Sequence, residues 1–151
     1  MSTNARRLRR TVVLSAAALA VAVPVLAGSA AAGSAAPACG LDTLDGTYLF
    51  AGDGWSVSGT GTVPLAFAGV ERFDGDGGLA GTSSSSFNGA ITSQHDFTGT
   101  YTVAADCTGT FTIDGTLHFD MYVERSGDGF VYLQTDPGSV SATTEHRATR
   151  Q

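Results

Sequence analysis

The sequence predicts an all-β protein folded as a single antiparallel up-and-down β-barrel of 8 to 9 strands, with a two-sheet β-sandwich as the alternative. Three observations support this expectation. Gly, Ser and Thr punctuate the chain at short intervals, apolar and polar residues alternate between them, and helical periodicity is nearly absent. Closing such a sheet removes its two exposed edges, which favours the barrel over an open arrangement.

The first 38 residues are expected to be an export signal outside the fold. Arg6, Arg7, Arg9 and Arg10 form a basic start, Thr11 to Ala27 an apolar stretch, and Ala36-Pro37-Ala38 a small-residue tail suited to cleavage. Ala30-Ala31-Ala32 offers an earlier cleavage site, and Arg9-Arg10-Thr11-Val12-Val13-Leu14 partly matches a twin-arginine signal, so both the Sec and Tat routes stay open. Ser15 and Pro24 interrupt the apolar stretch, which argues against a retained membrane anchor. The mature domain is then residues 39–151, a usual size for one hydrophobic core. It holds four Arg and no Lys against fourteen Asp and Glu, a formal net charge of −10. Such a surface repels phosphate backbones and anionic lipid, so neither nucleic acid nor a membrane surface is an expected partner, and no stable membrane insertion is expected after processing.

Strands are expected near residues 46–51, 66–73, 79–87, 90–97, 99–104, 109–113, 117–124, 130–135 and 139–146. Gly46-Thr47-Tyr48, Gly99-Thr100-Tyr101, Gly109-Thr110-Phe111 and Gly115-Thr116-Leu117 each read as the entrance to a strand. Turn chemistry separates several of the runs. Asp74-Gly75-Asp76-Gly77-Gly78, Asn88-Gly89, Asp114-Gly115, Ser126-Gly127-Asp128-Gly129 and Asp136-Pro137-Gly138 all supply residues that tolerate positive φ or initiate turns. Leu117 to Glu124 alternates most cleanly, with Leu117, Phe119, Met121 and Val123 on one face and His118, Asp120, Tyr122 and Glu124 on the other. Phe73, Phe87, Phe97, Phe111, Phe119 and Phe130 are the expected core, at roughly 1.5 to 3 kcal/mol for each ring fully buried.

The only two cysteines, Cys39 and Cys107, would meet an oxidising environment after export, so a disulfide between them is expected. A loop of this length would contribute about 4 kcal/mol in the chain-entropy account. Lipidation of Cys39 is the competing fate; it would leave Cys107 unpaired, and it calls for a large aliphatic residue where the chain has Ala36.

The candidate ligand-binding residues are Trp55, Tyr122, His118 and Asp120. Trp55 is the only tryptophan and falls in Ala51 to Val63, which reads as a Gly/Ser-rich loop at a barrel mouth, where an aromatic side chain contacts ligand or plugs the end. His118, Asp120 and Tyr122, with Glu124, form a polar ladder that either lines a lumen or is the solvated outer face of the sheet. His95 and Asp96 are neighbours on a strand, point to opposite faces and form no oriented acid–base pair. Asp74-Gly75-Asp76-Gly77 reads as a hairpin turn, since a calcium loop would require Glu at its twelfth position and the chain has Ser85. No Gly-x-Ser-x-Gly elbow, metal-ligand cysteine spacing or phosphate-cradling loop is present, so neither a cofactor nor a metal is expected and an enzyme is the last-ranked reading.

Phe73-Asp74-Gly75-Asp76-Gly77, Ser86-Phe87-Asn88-Gly89, Gly99-Thr100-Tyr101-Thr102-Val103 and Asp106-Cys107-Thr108-Gly109-Thr110 resemble small secreted bacterial proteins, of actinobacterial type, whose function is uncharacterised. The resemblance implies a compact antiparallel barrel similar to lipocalin-like, allene-oxide-cyclase-like and dirigent-like barrels. It implies no catalytic residues. Where lipocalins have Gly-x-Trp near the first strand, this chain has Gly46-Thr47-Tyr48. The expected function is therefore a non-catalytic extracellular barrel holding a small apolar ligand. The alternative is a cell-envelope interaction protein with a filled core.

Overall fold

Residues 38–148 are described here from a computed structural model. The arginine pair and apolar stretch of the expected leader lie outside them. After a short 3-10 turn, Leu41–Thr43, eight strands follow: β1 Asp45–Ser58, β2 Gly61–Asp74, β3 Gly78–Phe87, β4 Ala90–Val103, β5 Thr108–Ile113, β6 Leu117–Val123, β7 Gly129–Gln134 and β8 Ser139–Arg147. Each pairs antiparallel with the next, and β8 returns to β1 to close the barrel. The sandwich alternative is thereby set aside, and the architecture is consistent with a lipocalin-like barrel.

Hairpin chemistry follows the sequence. Asn88 and Gly89 have φ of 49° and 85°, and Asp114 and Gly115 have 49° and 68°, the left-handed pairs that a two-residue turn requires for its twist to match the strands. Asp74 Oδ1 accepts from the backbone N–H of Asp76 at 2.8 Å and of Gly78 at 2.9 Å, closing its turn with its own amides and holding its carboxyl below the usual range.

Three expectations need correction. Phe87, expected in the core, is the last residue of β3 before the Asn88-Gly89 turn and is 48% exposed. The runs 90–97 and 99–104 form one strand, β4, because Gly99 is a site of close approach: a Cβ there would lie 2.2 Å from the Thr112 carbonyl oxygen and 3.0 Å from Leu79. The Gly/Ser-rich loop expected over Ala51 to Val63 is instead the long β1–β2 hairpin, paired from Asp45↔Asp74 to Ser58↔Gly61. Its Gly52 and Gly54 are strand residues facing inward, where Phe67 and Ser141 crowd them, so their lack of a side chain serves packing and not a turn. Trp55 is accordingly on a strand.

One end of the barrel is closed and packed. Tyr48, Phe73 and Phe130 are buried together, with Tyr48–Phe73 and Phe73–Phe130 edge-to-face at 5.4 and 5.5 Å between centroids. The 3-10 turn is fastened across this end by the Tyr101 hydroxyl, which lies 2.9 Å from the Leu41 carbonyl and 3.0 Å from that of Leu44. Arg147 adds a second fastening: its guanidinium donates to the carbonyls of Gly127 and Asp45 and sits 4.8 Å above the Tyr48 ring. The Cys39–Cys107 disulfide ties the chain before β1 to the turn before β5, with 5.1 Å between Cα atoms. That bond occupies the sulfur that lipidation would use.

Candidate functional site

Period-two alternation decides what faces the lumen. Phe50, Phe67, Phe97, Phe119 and Tyr132 project inward from β1, β2, β4, β6 and β7 and wall a cavity of about 390 Å³ above the packed end. Inward glycines make room for these rings; a Cβ at Gly69 would lie 2.6 Å from the Phe50 ring, and one at Gly81 2.5 Å from the Phe97 ring. Toward the mouth the lining becomes mixed, with Ser83, Ser85, His95 and Asp114 beside the half-exposed apolar side chains of Phe87, Leu117 and Trp55. A β-bulge between β3 and β4, at Ser83 to Ser85, carries Gln94 at positive φ, and the backbone N–H of Gln94 donates to Ser84 Oγ at 3.1 Å.

Two glutamates lie within this aromatic interior. Glu71 from β2 is 2% exposed and lines the cavity, and Glu145 from β8 is fully buried. Both Glu145 carboxyl oxygens are enclosed without a hydrogen-bond partner of regular geometry, as is the Thr143 hydroxyl. Burial raises the Glu71 carboxyl to about 7, where the neighbouring Glu145 draws it down slightly, and raises Glu145 further still, through burial first and the Glu71 charge second. The pair therefore keeps a proton at neutral pH, since two carboxylates side by side in a low dielectric do not both ionise. Burial, then the charges of Glu145 and Glu71, pushes the Tyr132 phenol well above its ordinary range, keeping it neutral.

The four residues singled out in the sequence are not brought together. Trp55, half-exposed on β1, borders the mouth of the cavity. Asp120 and Tyr122 point outward and border a separate shallow groove of about 460 Å³ over β5, with Thr108 and Thr110. His118 borders neither. Its Nδ1 lies 2.8 Å from Asp136 Oδ1, and its backbone N–H donates to Asp136 Oδ2 at 2.9 Å. Hydrogen bonds from the Gln134 amide and from His118 hold the Asp136 carboxyl down to about 2, so this cluster fixes the β7–β8 turn to β6.

Comparisons with protein-family models, curated proteins and solved structures each find no match. The lumen offers an aromatic cavity open at one end, with the Glu71 carboxyl in its wall and Glu145 buried behind it. Among the described residues no group of three or more His, Cys, Asp or Glu could hold a metal ion. Sequence reasoning missed the glutamates. Their signal was phase, because Glu71 alternates with Phe67, Gly69 and Phe73, and Glu145 with Ser141 and Thr143, so each falls on the inward face of its strand.

Proposed function

We propose that this chain is a secreted, non-catalytic barrel that binds a small apolar ligand in its open end. The observation that supports this reading is the cavity of about 390 Å³, walled by Phe50, Phe67, Phe97 and Phe119 and reached past half-exposed Trp55, Phe87 and Leu117. Volume of this size suits a small ligand, and apolar walls with a few polar groups are the usual composition of such sites. Large apolar side chains exposed around one opening are costly unless something covers them, which fits a ligand entrance. The disulfide is compatible with an extracellular setting.

The test is titration of the mature protein with N-phenyl-1-naphthylamine, a probe uncharged at neutral pH that brightens in apolar surroundings. Saturable binding with quenching of Trp55 is expected, and Ser83→Trp, which places an indole in the cavity, is expected to abolish it. Absence of binding, or binding unchanged in Ser83→Trp, would return the chain to the reading of a cell-envelope interaction protein.

A further inference from the structure

We propose that the ligand of this lumen is a cation with an apolar body, a small aromatic or alkyl amine whose ammonium group rests on the Glu71 carboxylate. The inference rests on the lumen being a ligand site and adds which chemical class it selects. Glu71 reaches the cavity between the inward aromatic rings, and Glu145 beside it has both oxygens enclosed, with the Glu71 carboxyl as its neighbour and no hydrogen-bond partner of regular geometry. A buried acid is ordinarily satisfied by a basic side chain or by backbone amides. Among the described residues no basic side chain is supplied. Of the arginines in residues 38–148, Arg72 points outward, Arg125 interacts with Asp106, and Arg147 is committed to the closed end by Gly127 and Tyr48. No arginine acts on either buried carboxyl.

An ammonium donor supplies what the chain omits. It would donate to the Glu71 carboxylate and offset the single negative charge of the pair, and its alkyl carbons and ring would lie against Phe50, Phe97 and Phe119, whose faces also attract a cation. The titratable groups near the pair are Tyr132 and Tyr48, both held neutral by burial, and His95 and Asp114 line the same cavity toward the mouth. The acidic surface, formally −10 over residues 39–151, further concentrates cations near the opening. Proton balance follows directly. Where the pair holds two protons, an incoming ammonium displaces one to solvent from Glu71, and no other bond changes.

The experiment is calorimetric titration of the mature protein at pH 8 with 4-phenylbutylamine, 4-phenylbutan-1-ol and 4-phenylbutanoate, three ligands of one shape and different charge. The amine is expected to bind about tenfold tighter than the alcohol, and the carboxylate weakest. Glu71→Gln is expected to erase the preference for the amine while leaving the alcohol's affinity in place. At pH 6, titration in buffers of different ionisation enthalpy is expected to show about one proton released per amine bound and none per alcohol. Alcohol binding as tightly as amine, or amine binding without proton release at pH 6, would overturn this inference alone. Failure of all three ligands to bind would overturn the lumen reading with it.

Discussion

Raising the pH from 5 to 8 should destabilise this protein, because folding holds protons on two buried carboxyls that the unfolded chain releases. Glu71 shifts from an ordinary 4.5 to about 7 at 2% exposure. A carboxyl whose folded pKa lies above its unfolded value contributes stability that is fully present below about 4.5 and lost as the pH rises through about 7. At about 1.4 kcal/mol per pH unit, the Glu71 shift alone removes roughly 2.5 kcal/mol across that window. Glu145, raised further, adds to the loss in the same direction. For a domain of this size that corresponds to a fall in Tm of roughly 10 °C or more. Thermal unfolding followed by circular dichroism at pH 5, 6, 7 and 8 measures it directly. Repeating the series at about 1 M NaCl, where the Debye length is about 3 Å, removes most repulsion among surface acids and should leave the loss largely intact. The double variant Glu71→Gln with Glu145→Gln should flatten the profile. A Tm that holds or rises from pH 5 to 8, or a slope that survives in the double variant, would refute the reasoning.

Other consequences concern the closed end and the core. Reduction of the Cys39–Cys107 bond, which spans a sequence separation of 68, should cost about 4 kcal/mol, seen as a lower denaturant midpoint with a thiol reductant present. Arg147→Ala should cost about 2 to 3 kcal/mol in urea unfolding, since it removes hydrogen bonds to Gly127 and Asp45 and the stack on Tyr48; Arg147→Lys should recover only part of this, lacking the planar fork. Phe130→Ala, which vacates a ring touching Tyr48, Phe73 and Phe111, should cost about 3 to 5 kcal/mol by the same assay.

The barrel was legible in the sequence because its signals are local. Asn88-Gly89 and Asp114-Gly115 announce hairpins by the φ values they tolerate, and Leu117 to Val123 declares its inward face by simple alternation. The errors arose where one residue type serves two purposes. Gly52 and Gly54 read as loop residues and Gly99 as a strand entrance, yet all three sit mid-strand where neighbouring strands and rings approach, a contact that depends on register across strands. Trp55 consequently reads as a loop residue, and the structure places it on β1 bordering the mouth of the lumen. The polar ladder of His118, Asp120 and Tyr122 is conspicuous because it recurs at every second position of one short strand, and it lies on the outward face. Glu71 and Glu145 were inconspicuous because they are separated by 74 positions and meet only through closure of the sheet. Only their phase with the inward aromatics and small polar residues marked them.

The sequence contains three glutamates, Glu71, Glu124 and Glu145, so carboxyl-selective carbon NMR of glutamate-labelled protein resolves the lumen from the surface, Glu124 being exposed. With 4-phenylbutylamine added at pH 8, the account predicts that the Glu71 signal, titrating near neutral pH in the free protein, shifts on binding and that the Glu124 signal stays fixed. A Glu71 signal titrating near its ordinary 4.5, with no response to the amine, would contradict it.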